Sequence, residues 1–145
     1  MKQFLWVVVV AAVGVAVAFA ATQFFGKPET GSGIDLARQK SSANGIYVVQ
    51  IQPEKEPLQQ GPMHAWLLTL KTADGKPVDG AEIGVDGGMP AHGHALPTAP
   101  AVSSYLGEGR YRVDGFVFNM AGAWELKFAI RAAPGNDDVV FNVNL

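Results

Sequence analysis

Residues 123–131 read AWELKFAIR. Trp124, Leu126, Phe128 and Ile130 fall on one parity, while Glu125, Lys127 and Arg131 fall on the other. Side chains of an extended chain alternate between its two faces, so this segment predicts a strand with an apolar inner face and a charged outer one. The same period recurs upstream in IYVVQIQ at residues 46–52 and MHAWLLTLK at 63–71. It recurs again at residues 78–86, where Ala81, Ile83 and Val85 oppose Glu82, Gly84 and Asp86, the acidic pair serving as a solvated face. Residues 101–106, 110–118 and 139–145 complete a set of seven. In RYRVDGFVF the alternation changes phase near Asp114 and Gly115, which predicts a bulge. Turn signals such as ADGKP and APGN separate the runs. Short, evenly spaced strands of this kind predict an all-β fold, an immunoglobulin-like antiparallel β-sandwich of about seven strands over residues 45–145.

The amino-terminal part has a different character. Residues 4–21 are an apolar run without a charge, preceded by Lys2 and followed by Phe24, Phe25 and Lys27. Ala18-Phe19-Ala20 offers a signal-peptidase-like site, but the run approaches the roughly 20 residues of a membrane span. Its length and its flanking aromatics favour an uncleaved anchor over residues 1–26, a single-pass helix with the rest of the chain on the extracytoplasmic, periplasmic side. Residues 27–44, rich in Gly, Ser and Thr, read as a tether in which a brief helix over residues 35–40 is expected.

A formal charge of -2 and a pI near 5.8, with the eleven basic residues scattered, argue against a nucleic-acid partner. The absence of cysteine excludes disulfides, thiolate zinc sites and haem attachment. No nucleophile stands beside a base and no phosphate-cradling glycine loop is present, so the chain does not read as an enzyme.

One stretch carries possible chemistry: GGMPAHGHALPTAP at residues 87–100, which holds two of the three histidines. His92 and His94 are separated by a single flexible glycine and can offer two imidazole nitrogens to one ion. Met89 adds a soft thioether, and a set of imidazole and thioether donors without thiolate suits copper better than calcium, magnesium or zinc. If the strands run alternately up and down, His64 and Met120 are carried to the same end of the sandwich as this loop. The expected ligand set is therefore His92, His94 and His64, with Met89 and Met120 as additions. Each has a plainer reading: two solvated loop histidines, a histidine that closes the core with its ring bonded to backbone, and methionines that fill gaps.

Three segments together, DGKPVDGAEIGVDGGMPAHGH, GEGRYRVDGFVFNMAGAWELKFAI and DDVVFNV, resemble the YtkA-like domain family, with which FixH-type membrane proteins are grouped. The distinctive part is the order of a Met-Pro-x-His-x-His loop, a Gly-x-Tyr strand and a Phe-x-Met-x-Gly-x-Trp corner. The resemblance implies a small exported or membrane-anchored sandwich. Because FixH-type proteins are associated with haem-copper oxidase assembly, it also implies a copper ion as cargo and a protein partner that receives it. The chain lacks the cysteine pair of thiol-based copper-delivery proteins, which argues against redox-coupled transfer. An alternative is a metal-free accessory module of a membrane complex, docking through the extended segment at residues 96–100.

Overall fold

The computed structural model describes residues 33–145. The expected anchor at residues 1–26 lies outside them, and among the described residues no helix is long and apolar enough to cross a membrane. Among the described residues nine strands form: β1 Gln39–Ser41, β2 Tyr47–Pro53, β3 Met63–Thr72, β4 Glu82–Met89, β5 His94–Ala95, β6 Ala101–Gly107, β7 Arg110–Val117, β8 Ala123–Ala132 and β9 Gly135–Asn144. They build two antiparallel sheets, ordered β1-β2-β3-β7-β6 and β5-β4-β8-β9. The seven expected strands correspond to β2, β3, β4, β6, β7, β8 and β9, and two short strands are added.

Alternation produces the core. Trp66, Leu68 and Leu70 from β3 and Tyr111, Val113 and Phe116 from β7 are buried on one sheet, facing Trp124, Leu126, Phe128 and Ile130 from β8 and Phe141 and Val143 from β9. Each such side chain stabilises the fold by about 1.5–3 kcal/mol relative to an exposed position. The aromatic residues interlock edge to face, with Phe118 against Trp124 at 5.4 Å and Phe128 against Phe141 at 6.1 Å. The phase change read near Asp114 has a structural counterpart. His64 pairs with Phe116 and Ala65 with Asp114, which leaves Gly115 as the extra residue of a bulge at φ 100°.

The stretch read as a tether, residues 27–44, contains β1, which pairs with β2, and no helix forms over residues 35–40. Local composition pointed to a linker, but tertiary contacts override it. The Asp137 carboxylate of β9 accepts hydrogen bonds from the Ser42 hydroxyl at 2.5 Å, the Asn44 amide at 3.0 Å, the Asn44 side chain at 2.9 Å and the Ile46 amide at 3.3 Å. This latch fastens the turn after β1 to the opposite sheet. Desolvation, the strongest single influence on the Asp137 carboxyl, pushes its pKa up. The donors around it outweigh that and hold it at about 2, below the ordinary 3.8.

Candidate metal centre

The histidine stretch divides into a strand, a turn and a second strand. Residues 87–89, read from sequence as the start of a loop, instead continue β4. The two glycines explain this. A Cβ on Gly87 would run into the Glu125 carbonyl oxygen of β8, and one on Gly88 would run into the His94 carbonyl oxygen of β5. Only residues without side chains let three backbones approach so closely. Pro90 then opens a 3-10 turn, Pro90–His92, and Gly93 closes it in the left-handed conformation, φ 63° and ψ 24°, its amide donating to the Pro90 carbonyl at 3.3 Å. β5 returns antiparallel to β4, pairing Met89 with His94 and Gly88 with Ala95, and the Leu96 amide donates to the Gly87 carbonyl at 3.1 Å.

This hairpin sets His92 and His94 side by side. Both are exposed, their ring centroids are 6.3 Å apart, and their planes differ by 25°. The metal–nitrogen bond of about 2.0 Å, extended by about 1.2 Å from nitrogen to ring centre, places two imidazoles sharing an ion roughly 4.5–6.4 Å apart, depending on the angle at the ion. The observed spacing lies within that range. The site suits a metal ion by donor type, two exposed imidazoles on one short hairpin.

The remaining candidates are deployed differently. Met89 faces inward at 1% exposure, its Sδ-methyl end packed beneath Gly122 in the corner that joins β7 to β8. Met120, in that same corner, is half-buried against the core, and its carbonyl accepts the Trp124 indole N–H at 3.1 Å. His64, on β3 of the other sheet, is 7% exposed and packs on Phe118 at 5.6 Å. Its Nε2 lies 2.8 Å from the Gln59 carbonyl oxygen and 3.3 Å from the Gln59 amide nitrogen, so the ring is engaged by the Gln59 backbone. Ligation through Nε2 would forfeit that contact. Beside His64, the bulge opens a groove of about 230 Å³, but its carboxylates are engaged. Arg112 holds Glu54 in a bidentate pair, at 2.5 and 2.9 Å, and also contacts Asp114. Among the described residues no three His, Asp or Glu side chains group as a metal site.

His64, Met89 and Met120 do share one end of the sandwich, linked through Phe118, Trp124 and the corner at residues 119–122. Sharing an end is a weaker condition than sharing an ion, because His64 stands on β3 of the first sheet and the hairpin at the edge of the second. The segment at residues 96–100, read as a free docking edge, is partly packed: Leu96 lies against the core and Pro100 is buried beside Gly115. Sequence reasoning did not assign the Gly87-Gly88 pair its role in bringing β5 back. Paired glycines ending a strand pattern were the available signal.

A two-sheet β domain with an exposed histidine hairpin at its edge is the class that fold and site define. The chain belongs to the YtkA-like family, whose model matches residues 41–129. No curated protein matches it. Among solved structures it is similar to one described as the ZirS C-terminal domain, at 15% identity over 100% of this chain and 88% of that chain, with a TM-score of 0.39.

Proposed function

We propose that this protein is a membrane-tethered, extracytoplasmic carrier of copper that holds its ion between His92 and His94 and passes it to a protein partner. The carrying observation is the pairing of two exposed imidazoles, 6.3 Å apart, on a hairpin whose geometry two glycines and a proline fix. Two protein ligands leave positions on the ion open. An acceptor can enter them before the carrier lets go, which favours exchange over storage. The tether is supported by the uncharged apolar run at residues 4–21.

The domain itself reads as immunoglobulin-like. Labelling β2, β3, β7 and β6 as A, B, E and D, and β4, β8 and β9 as C, F and G, supports this: the first sheet then runs A-B-E-D and the second C-F-G, as in that fold. The site reading narrows to His92 and His94, since His64 is committed to Gln59 and Met89 to the core.

Copper titration of the full chain in mild detergent tests the function. Wild type is expected to bind copper, His92→Ala and His94→Ala to lose it, and His64→Gln to retain it. Equal copper stoichiometry in all four removes the carrier reading. A partner that stays bound to the double histidine variant after metal is stripped would establish the accessory-module alternative in its place.

A further inference from the structure

The latch at Asp137 is built on the one Asn-Gly pair in the chain, Asn44-Gly45. The turn requires that glycine. Gly45 stands at φ 73°, in the left-handed region, and its amide donates to the Ser42 carbonyl at 2.9 Å to close the turn between β1 and β2. Asn44 is exposed, yet its backbone amide and its side-chain amide both donate to the buried Asp137 carboxylate, at 3.0 and 2.9 Å. A glycine that follows an asparagine is also the neighbour that least hinders attack of a backbone nitrogen on the side-chain amide carbon. The conformation this turn needs and the chemistry it admits therefore come from the same residue.

In that reaction the Gly45 nitrogen gives up its proton and bonds to Asn44 Cγ. The Cγ–Nδ2 bond breaks, and ammonia leaves with the proton. Water then opens the resulting succinimide at either carbonyl, giving aspartate or, with the main chain rerouted through the side chain, isoaspartate. The net change is one water gained and one ammonia lost, with no oxidant or reductant.

The closed latch opposes each part of this step. The hydrogen on the attacking nitrogen is held by the Ser42 carbonyl, the leaving amide is held by Asp137, and negative charge developing on the amide oxygen would form beside a carboxylate. Local opening of an exposed turn removes all three restraints. After reaction, position 44 carries a carboxylate, which accepts hydrogen bonds and donates none, and it faces Asp137 across what had been a 2.9 Å contact. Two carboxylates sharing one site repel. The same turn anchors the Ala43 amide to the Asp138 carbonyl of β9 at 2.8 Å, and β1 covers the edge of β2.

We infer that Asn44 is a deamidation site guarded by the closed latch, and that its reaction in the open state releases β1 irreversibly. Release bares β2, seven residues long, as a sheet edge with which another strand can pair.

The test holds the full chain in mild detergent at mildly alkaline pH and follows the peptide containing residue 44 by mass spectrometry, which reads the exchange of NH for O. Electron-transfer fragmentation tells isoaspartate from aspartate. In urea, Asn44 is expected to react faster than the other asparagines, and in the folded chain far more slowly. Asp137→Ala and the milder Ser42→Ala should each raise the folded rate at least about tenfold, the increase expected when a hydrogen bond to a charged group is lost from the closed state. Near-ultraviolet circular dichroism verifies that they are folded, and if Asp137→Ala is not, Ser42→Ala decides. Asn44→Asp reproduces the aspartate product and should speed hydrogen exchange at the Ala43 amide more than Asn44→Ala, which removes the donor without adding a charge. A folded rate equal to that in urea, or unchanged in the folded latch variants, overturns the guard. Exchange at Ala43 no faster in Asn44→Asp than in Asn44→Ala overturns the irreversible release. No reaction at Asn44 in urea overturns the site itself.

Discussion

Tyr111 offers a measurable test of how the edge of the second sheet is fixed. Its ring is 2% exposed, and its hydroxyl donates to the Val78 carbonyl at 2.7 Å and accepts from the Ala81 amide at 3.0 Å. One oxygen thus satisfies both ends of the crossing segment that leads from the first sheet into β4. Tyr111→Phe keeps the ring and removes only that oxygen. A buried polar group left without a partner costs about 1–3 kcal/mol. Val78 is buried, so its carbonyl should bear a full cost, while half-buried Ala81 can recruit water and bear less. Together the loss is expected to be about 2–3 kcal/mol. In a domain of this size each kcal/mol lowers Tm by about 4–8 °C, which predicts a fall of roughly 8–24 °C. Tyr105→Phe is the control. Tyr105 is 45% exposed, and its substitution should cost less than about 1 kcal/mol. Thermal unfolding of the full chain in mild detergent, followed by near-ultraviolet circular dichroism, reads both variants. If Tyr111→Phe melts within about 2 °C of wild type, well under the shift of 1 kcal/mol, the hydroxyl is not what secures the entry to β4.

Two further outcomes concern the latch and the hairpin. The Asp137 carboxyl is held at about 2 in the folded chain against 3.8 ordinarily, a depressed value, so the stability it contributes is fully present above pH 3.8 and is lost as pH falls toward 2. The urea midpoint of wild type should therefore drop across that window more steeply than that of Asp137→Asn, and parallel curves would show that the latch carries no proton linkage. Gly88→Ala places a methyl group against the His94 carbonyl and should detach β5 without unfolding the core. Faster hydrogen exchange at the Leu96 amide, together with weakened copper binding, would register that detachment. Unchanged exchange would show that the hairpin tolerates a side chain there.

How far the chain could be read depended on whether the governing interaction was local. β8 was legible because each inward residue has an outward neighbour of opposite character, and the bulge at Gly115 was legible because a shifted register leaves a break in that alternation. β1 was not legible. Its three residues alternate weakly, and they are held by pairing with β2 and by the Asp137 latch, whose partners lie more than ninety residues apart in sequence. The helix expected at residues 35–40 lost to the same long-range contacts.

The site divides along the same line. The sequence by itself determined the donor chemistry, two imidazoles flanking a glycine and no thiol anywhere. Only the tertiary structure decided which donors are free. Burial faces Met89 inward, the Gln59 backbone claims His64, and the close approach of β4, β5 and β8 leaves His92 and His94 alone at the edge. Residue type sets what a side chain can bind, but whether its lone pair faces solvent, core or backbone depends on neighbours that the chain brings together only on folding.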